Sequence, residues 1–426
     1  MKIAFWGNFG TLNFGNECTL AAILDGIHRR LPDAALMVVC VEPGDTAARH
    51  QVEAIPIWDP PAAGPVGGGG RLRMAIRGVL RQFSGWRRAL RQVRGVDALI
   101  VPGTGVLNDN NEGLLGLPYH LFKWCLATRL RGGKVFFVSV GVERISCRSA
   151  QFFVKGALGL AEYRSFRDPR ALQLIRALGF RGASEVRPDL AFSLPEQAPL
   201  APGQRLSGRT VAVGVYNFQR CGQGGGAALA AYEEYVNRVS SLILWLAEQG
   251  YRVRLIMGDV SYDMQVRSDV RARLQGRGFD LMEPIYADDP ATSFEQIMDQ
   301  IASVDFVVAS RFHNILLALF IGRPVVALSY EGKIEVLMRG MGLGEYCQTL
   351  EEFNLDRLIG QIQQLEREAP ALYGTIAARV REHRDDLDQQ YDLIAARLRL
   401  ASNHSNAAGG TELEGRNNRT DEPAGR

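Results

Sequence analysis

Short runs of β-branched and aliphatic residues alternate with helical patterns from the start of the chain. In the first half, KIAFW, LMVVCV, DALIV, KVFFVSV and RSFRD read as strands, being short and apolar and bounded by turn residues or charge. Between them lie helical stretches such as residues 16–31, where Leu20, Leu24, Ile27 and Leu31 recur at helical spacing until Pro32 stops the pattern. A proline-rich break, PEQAPLAPGQ at 195–204, precedes a second series, TVAVGVY, YRVRLIMGD, FDLMEPIYA, DFVVAS and RPVVALSY, each joined to the next by a helical stretch. Such alternation calls for parallel sheets covered by helices on both faces. The expected fold is α/β, with two doubly wound domains facing a cleft. They span 1–200 and 205–345, and C-terminal helices follow over 346–400.

Three segments depart from this rhythm. PPAAGPVGGGG (60–70) reads as a linker, and the polar, Gly- and Asn-rich residues 401–426 read as a disordered tail. The third, residues 71–94 within an insertion over 60–96, carries eight arginines and no acidic residue. Its Leu72, Ile76, Val79, Phe83, Trp86, Leu90 and Val93 form one apolar stripe. Such a helix either packs its stripe on the domain or lies on an anionic membrane surface. No internal repeat is visible.

Composition narrows the function classes. With 426 residues the chain exceeds a single core, and its net charge of +3 gives no surface-wide grip on nucleic acid. The six cysteines are scattered without metal-ligand spacing, so they are expected to be reduced, mostly buried small hydrophobes, and no metal site is expected. The N-terminus lacks the apolar core of a signal peptide, and the longest apolar run, 315–330, is interrupted by Arg323 and Pro324. A cytoplasmic location is therefore expected.

The candidate chemistry lies in VVASRFHNILLAL, residues 307–319. Arg311 and His313 follow the strand DFVVAS and open the helix NILLALFIG. Cations there oppose the helix dipole by roughly 0.3–1 kcal/mol each, a poor placement unless an anion binds. Lys333 holds the equivalent position after the next strand, RPVVALSY. If those strands pair in parallel, the three groups converge on one sheet edge and suit a small ligand with two negative groups. Arginine grips a carboxylate or phosphate by a fork, lysine supplies a point charge, and histidine exchanges a proton near neutral pH.

The run SRFHNILLALFIGRPVVALSYEGKIEVLMRGMGL resembles the C-terminal signature of the polysaccharide pyruvyl transferase family. GNFGTLNFGNE, VPGTG, FFVSVGV, SFRDPRALQLIRALG and RPDLAFSL match upstream in order, across residues 1 to about 345. The resemblance implies two Rossmann-like domains similar to those of GT-B glycosyltransferases. It also implies phosphoenolpyruvate as donor, no cofactor, and a glycan or lipid-linked saccharide as acceptor. His313 would be the general acid, with Arg311 and Lys333 holding the donor. Substrate-binding positions would be Ser310, Tyr330, Asn8, Gly15, Asn16, Gly103, Thr104, Arg167 and Asn217. Glu17 or Asp189, the latter within RPDLAF, would act as base toward the acceptor hydroxyls; family members often carry an acid where Asn16 stands, and here only Glu17 remains beside it.

Plainer roles exist for several of these residues. Gly7, Gly10 and Gly15 suit a tight turn, Asn16 a helix cap, and Asp168 a cap before Pro169. His28 is explained by the dipole at a helix end, and His120 reads as a helix-face histidine. The rivals are a glycosyltransferase using a nucleotide sugar and a non-catalytic glycan-binding relative. The first would carry an acid in the helix after DFVVAS, and NILLALFIG has none.

Overall fold

The computed structural model describes residues 1–58, 71–109, 113–195, 209–217, 226–279, 284–286, 290–351 and 353–414. Its first sheet has seven parallel strands, β1 (Lys2–Trp6), β2 (Ala35–Cys40), β3 (Glu53–Pro56), β4 (Ala98–Pro102), β5 (Lys134–Val140), β6 (Tyr163–Phe166) and β7 (Glu185–Val186). They lie in the order β3-β2-β1-β4-β5-β6-β7. The second has six, β8 (Thr210–Gly214), β9 (Arg252–Ile256), β10 (Ile285–Tyr286), β11 (Phe306–Ala309), β12 (Val325–Ser329) and β13 (Cys347–Thr349), in the order β10-β9-β8-β11-β12-β13. Both orders reverse in mid-sheet, between β1 and β4 and between β8 and β11. Such a reversal opens a crevice at the carboxyl ends of the strands, where ligands bind. The edge strands β3, β7 and β13, two to four residues long, are too short for an apolar-run reading to predict.

Helices α1 (Phe14–Arg30), α2 (Pro43–His50), α3 (Arg71–Gln92), α4 (Leu117–Leu130), α5 (Arg148–Leu160) and α6 (Pro169–Ala177) belong to the first domain. The second has α7 (Gly226–Glu248), α8 (Val260–Gln275), α9 (Phe294–Ala302), α10 (Phe312–Ile321) and α11 (Gly332–Gly340), followed by α12 (Leu355–Glu414). Central strands are apolar on both faces, Ile3 to Trp6 and Val325 to Ala327 being fully buried, as helix-covered parallel sheets require.

The C-terminal region differs from the expectation of several helices over 346–400 and a disordered tail from 401. After β13 it is one helix, running through Pro370 to Glu414. Residues 415–426 lie outside the described residues, as do the linker at 60–70 and residues 196–204 of the proline-rich break. Packing, rather than local propensity, sustains this helix. Near its start, Tyr346 donates to Glu368 at 2.6 Å and Gln348 to Gln361 at 2.7 Å, in the second domain. Farther along, Gln390 donates to Tyr163 at 3.0 Å and Ser165 at 2.6 Å, and Tyr391 lies 2.8 Å from Ser193, all in the first. Tyr391 is fully buried, its ring 2.6 Å from where a Cβ on Gly26 would stand. Burying a large apolar side chain contributes roughly 1.5–3 kcal/mol, so α12 is a strap joining both domains.

Of the described cysteines, Cys18, Cys40 and Cys125 are buried, Cys347 is partly buried and Cys147 is exposed; all are free thiols. The apolar stripe read over 71–94 divides. Val93 is buried, with Ala89 beside the stripe, and Trp86 donates to the Tyr119 hydroxyl of α4 at 3.0 Å. Phe83 stands 63% exposed, as does neighbouring Leu80 at 61%, and the side chains of Leu72, Ile76 and Val79 lie outside the described residues.

Candidate active site

A cavity of about 260 Å³ opens between the domains at the carboxyl ends of the central strands. Arg311, Phe312 and His313 reach it from the β11–α10 junction, and Tyr330, Glu331 and Lys333 from the β12–α11 junction. β11 and β12 pair in parallel with Ala309 opposite Ala327, so both junctions open on the same edge. The facing wall comes from the first domain. Asn8, Asn13, Gly15 and Asn16 follow β1; Thr104, Gly105, Val106 and Asn108 follow β4; Glu143 follows β5 and Arg167 follows β6. First-turn residues of α1, α4, α10 and α11 line the space, and in none of these helices does the N-cap side chain bond its first turn. The N-terminal ends of these helix dipoles therefore turn partial positive charge toward the cavity from both domains.

The cations are not equivalent. Arg311 donates from Nε to Asp263 at 2.9 Å and from Nη2 at 2.7 Å. Burial opposes its charge, but the Asp263 carboxylate outweighs that and raises its pKa. The fork that the sequence reading assigned to a ligand is thus occupied by a protein carboxylate. Asp263, wholly buried in the first turn of α8, has no local motif to announce it. The Arg311 guanidinium also lies 4.5 Å from the Tyr216 ring, itself stacked on Tyr330 at 4.0 Å. Lys333 stands 2.8 Å from Glu331 and 3.4 Å from Glu143. Burial disfavours its ammonium, yet Tyr330 and Glu143 keep its pKa above the usual lysine value.

Arg167 spans the cleft. Its guanidinium lies 4.6 Å from the Phe312 ring, and Nη1 is 3.4 Å from Asp189. Its Nε is buried without a hydrogen-bond partner, as is Nε2 of His313. His313 differs from its expected titration near neutral pH. Burial, then the charges of Arg167, Lys333 and Arg311, push its pKa well below 6.5, so the imidazole is neutral. It also presses against the first domain, since a Cβ on Gly15 would fall 2.0 Å from its Nδ1. Gly141 plays the same part for Arg167, whose guanidinium carbon would meet an added Cβ at 2.7 Å.

Of the residues read from sequence, the cavity brings together His313, Arg311, Lys333, Tyr330, Arg167, Asn8, Gly15, Asn16 and Thr104. Others lie behind its wall. Glu17 is fully buried, accepts from Gly10 N at 2.8 Å and faces His50 Nε2 at 2.9 Å. Asp189 is buried, caps the short turn Leu190–Ser193 and pairs with Arg167. Neither expected base therefore reaches the cavity, because both carboxylates hold local structure. Ser310 is fully buried, and Gly103 sits where a Cβ would come within 2.9 Å of the Ser139 carbonyl. Asn217 is tied to Asp263 and Tyr262, behind Arg311. The sequence reading missed Asp263, Tyr216, Glu331 and Glu143; an acid just past the end of a strand is the one signal available for Glu143.

Among the described residues no group of histidine, cysteine and carboxylate side chains could hold a metal ion, and no helix is long and apolar enough to cross a membrane. Solved structures of similar fold include a glycosyltransferase from Rickettsia africae (TM-score 0.59, 10% identity, covering 93% of this chain and 98% of that one). UDP-GlcNAc 2-epimerase from Neisseria meningitidis bound to UDP-GlcNAc is similar too (0.58, 10%, 94% and 100%). So is a putative UDP-N-acetylglucosamine 2-epimerase from Listeria monocytogenes (0.56, 13%, 99% and 99%). At such identities they show the fold alone, two Rossmann-like domains of GT-B type. No curated protein matches the sequence significantly. The family model for polysaccharide pyruvyl transferase matches residues 13–332, most of both domains, and the chain therefore belongs to that family.

Proposed function

We propose that this transferase takes the pyruvyl group of phosphoenolpyruvate and places it as a ketal on two hydroxyls of a saccharide, either a surface polysaccharide or its lipid-linked precursor. The observation that carries this reading is the convergence of Arg167, Lys333 and His313 with four helix N-termini on one small cavity. A carboxylate and a phosphate on three carbons match that distribution of charge. Arg167 and Lys333 hold the two anionic groups, and His313 gives a proton to the methylene carbon. Its imidazole gains that proton when the ligand's negative charge offsets the neighbouring cations. Arg311, bound to Asp263, fixes the Tyr216–Tyr330 platform. A glycosyltransferase reading is disfavoured because α10 carries no acid. The test is phosphate release from phosphoenolpyruvate with a panel of saccharide acceptors, alongside calorimetry of donor binding. Binding with acceptor-dependent release supports the reading, and absence of binding defeats it.

The same reading places the enzyme at the cytoplasmic face of a membrane. Exposed Leu80 and Phe83 of α3 sit among arginines, and the ring of exposed Phe152 on α5 joins Tyr119 of α4 through Phe153. The Leu117 turn of α4 lines the cavity, so a bilayer against this surface would present a lipid-linked acceptor close to the site. Anionic vesicles should sediment the protein in a salt-sensitive manner, and a Leu80→Ser/Phe83→Ser variant should stay in solution.

A further inference from the structure

Attack by an acceptor hydroxyl needs a base, and among the described residues the carboxylates lining the cavity are Glu143 and Glu331. Glu331 is the N-cap residue of α11 and shares the donor wall with Lys333. Glu143 comes from the opposite wall and still reaches the same ammonium. Its side chain is 34% exposed, so solvent and an acceptor have access.

The position of Glu143 is built rather than incidental. β5 breaks register between Phe137 and Val140, and Ser139 takes a left-handed φ of 53°, a conformation that costs a non-glycine residue about 1–3 kcal/mol. Ser139 N donates to Ser165 Oγ at 2.7 Å, and its hydroxyl donates to Gln390 of α12 at 3.1 Å. Bulges of this kind re-aim the residues beyond them. Past it, Glu143 N donates to the Leu107 carbonyl at 3.0 Å, and Oε1 lies over Gly105, 3.2 Å from where a Cβ would be.

We propose that Glu143 is the general base toward the acceptor, uncovered when the donor displaces it from Lys333. This rests on the phosphoenolpyruvate reading above. His313 delivers a proton to C3 of the donor. The first sugar hydroxyl forms its C–O bond to C2 and gives its proton to Glu143, leaving a tetrahedral adduct that still carries phosphate. The second hydroxyl then attacks C2 as the C–O bond to phosphate breaks. Phosphate leaves with that bond's electron pair and takes up the second hydroxyl's proton. The proton on Glu143 returns through solvent to His313, so each cycle yields one ketal and one inorganic phosphate.

The experiment compares the wild-type chain with Glu143→Gln and Glu143→Asp. A positioned base contributes about 10²- to 10⁴-fold. Turnover of Glu143→Gln should fall at least about 100-fold, while calorimetry shows phosphoenolpyruvate bound at least as tightly, because a competitor for Lys333 is gone. Glu143→Asp, which keeps a carboxylate, should recover part of the turnover that Glu143→Gln loses, with donor affinity undiminished in both. Near-normal turnover in Glu143→Gln, or donor affinity that falls in step with turnover, overturns the assignment. A wild-type protein that binds no phosphoenolpyruvate overturns the donor reading instead.

Discussion

On the second-domain side of the cleft, Arg311, His313 and Lys333 stand at helix N-termini after adjacent strands, and each charge there meets a counter-charge or a ring. On the first-domain side Arg167 and Glu143 stand in a lining otherwise of glycine, asparagine, threonine and apolar residues, where glycines leave space. Gly15 makes room for His313, Gly141 for Arg167 and Gly105 for Glu143. The second-domain wall thus relies on charge, and the first combines two charged groups with built-in space. A charged wall should fail when a group is removed, and a wall of gaps should fail when an atom is added.

The largest effect is expected from His313→Ala. Loss of the proton donor should lower turnover about 1,000-fold while leaving phosphoenolpyruvate affinity within a few-fold, as calorimetry on the inactive variant would show. Near-wild-type turnover would remove the imidazole from the chemistry. Next comes Asp263→Ala, which leaves the Arg311 guanidinium buried without its carboxylate. Breaking such a pair costs about 3 kcal/mol, visible as a lower denaturation midpoint. The freed guanidinium then turns to the donor. Phosphoenolpyruvate should restore more stability to this variant than to the wild type, and an equal effect on both would show that Arg311 never faces the ligand.

The opposite wall is tested by addition. Gly15→Ala sets a methyl 2.0 Å from the His313 Nδ1 position, so the ring must shift. A displacement near 1 Å at a reacting group costs about 100-fold in turnover. Fold stability should change less, since the ring borders an open cavity, and parallel losses of turnover and stability would place the damage in the core instead.

How far each wall could be read from the sequence follows from the same contrast. Arg311, His313 and Lys333 stood out because cations at helix N-termini after apolar strands are locally anomalous. Their shared edge followed from parallel pairing of β11 with β12. Asp263 did not stand out, because it acts across 48 positions from another helix, and its own neighbourhood reads as an ordinary first turn. Glu143 depends on a bulge, and a one-residue break in register leaves no mark on an apolar run. Glu17 misled for the converse reason. An acid beside a glycine-rich turn looks like a ligand group until the turn folds inward over it and binds Gly10 N. The polar end of α12 carries no sign that two domains grip the helix farther up.

The smallest effect is the one that joins the walls through protonation. Burial and the cations Arg167, Lys333 and Arg311 hold the His313 pKa well below 6.5. The unfolded chain therefore binds a proton below about pH 6.5 that the folded chain refuses. Stability contributed by this group is complete above that pH and falls as pH drops toward the folded pKa, by at most about 1.4 kcal/mol per pH unit. His120, lowered to about 3, and His383, also lowered, add slopes of the same sign, so the His313 share is the difference between wild type and His313→Asn. Phosphoenolpyruvate should reverse it. An anion that neutralises the three cations raises the imidazole pKa, so binding takes up a proton, and affinity weakens as pH rises through the new value. Calorimetry in two buffers of different ionisation enthalpy measures that uptake. A wild-type value no larger than that of His313→Asn would mean that the donor's charge is met elsewhere, and that the cavity wall of cations does not govern the histidine.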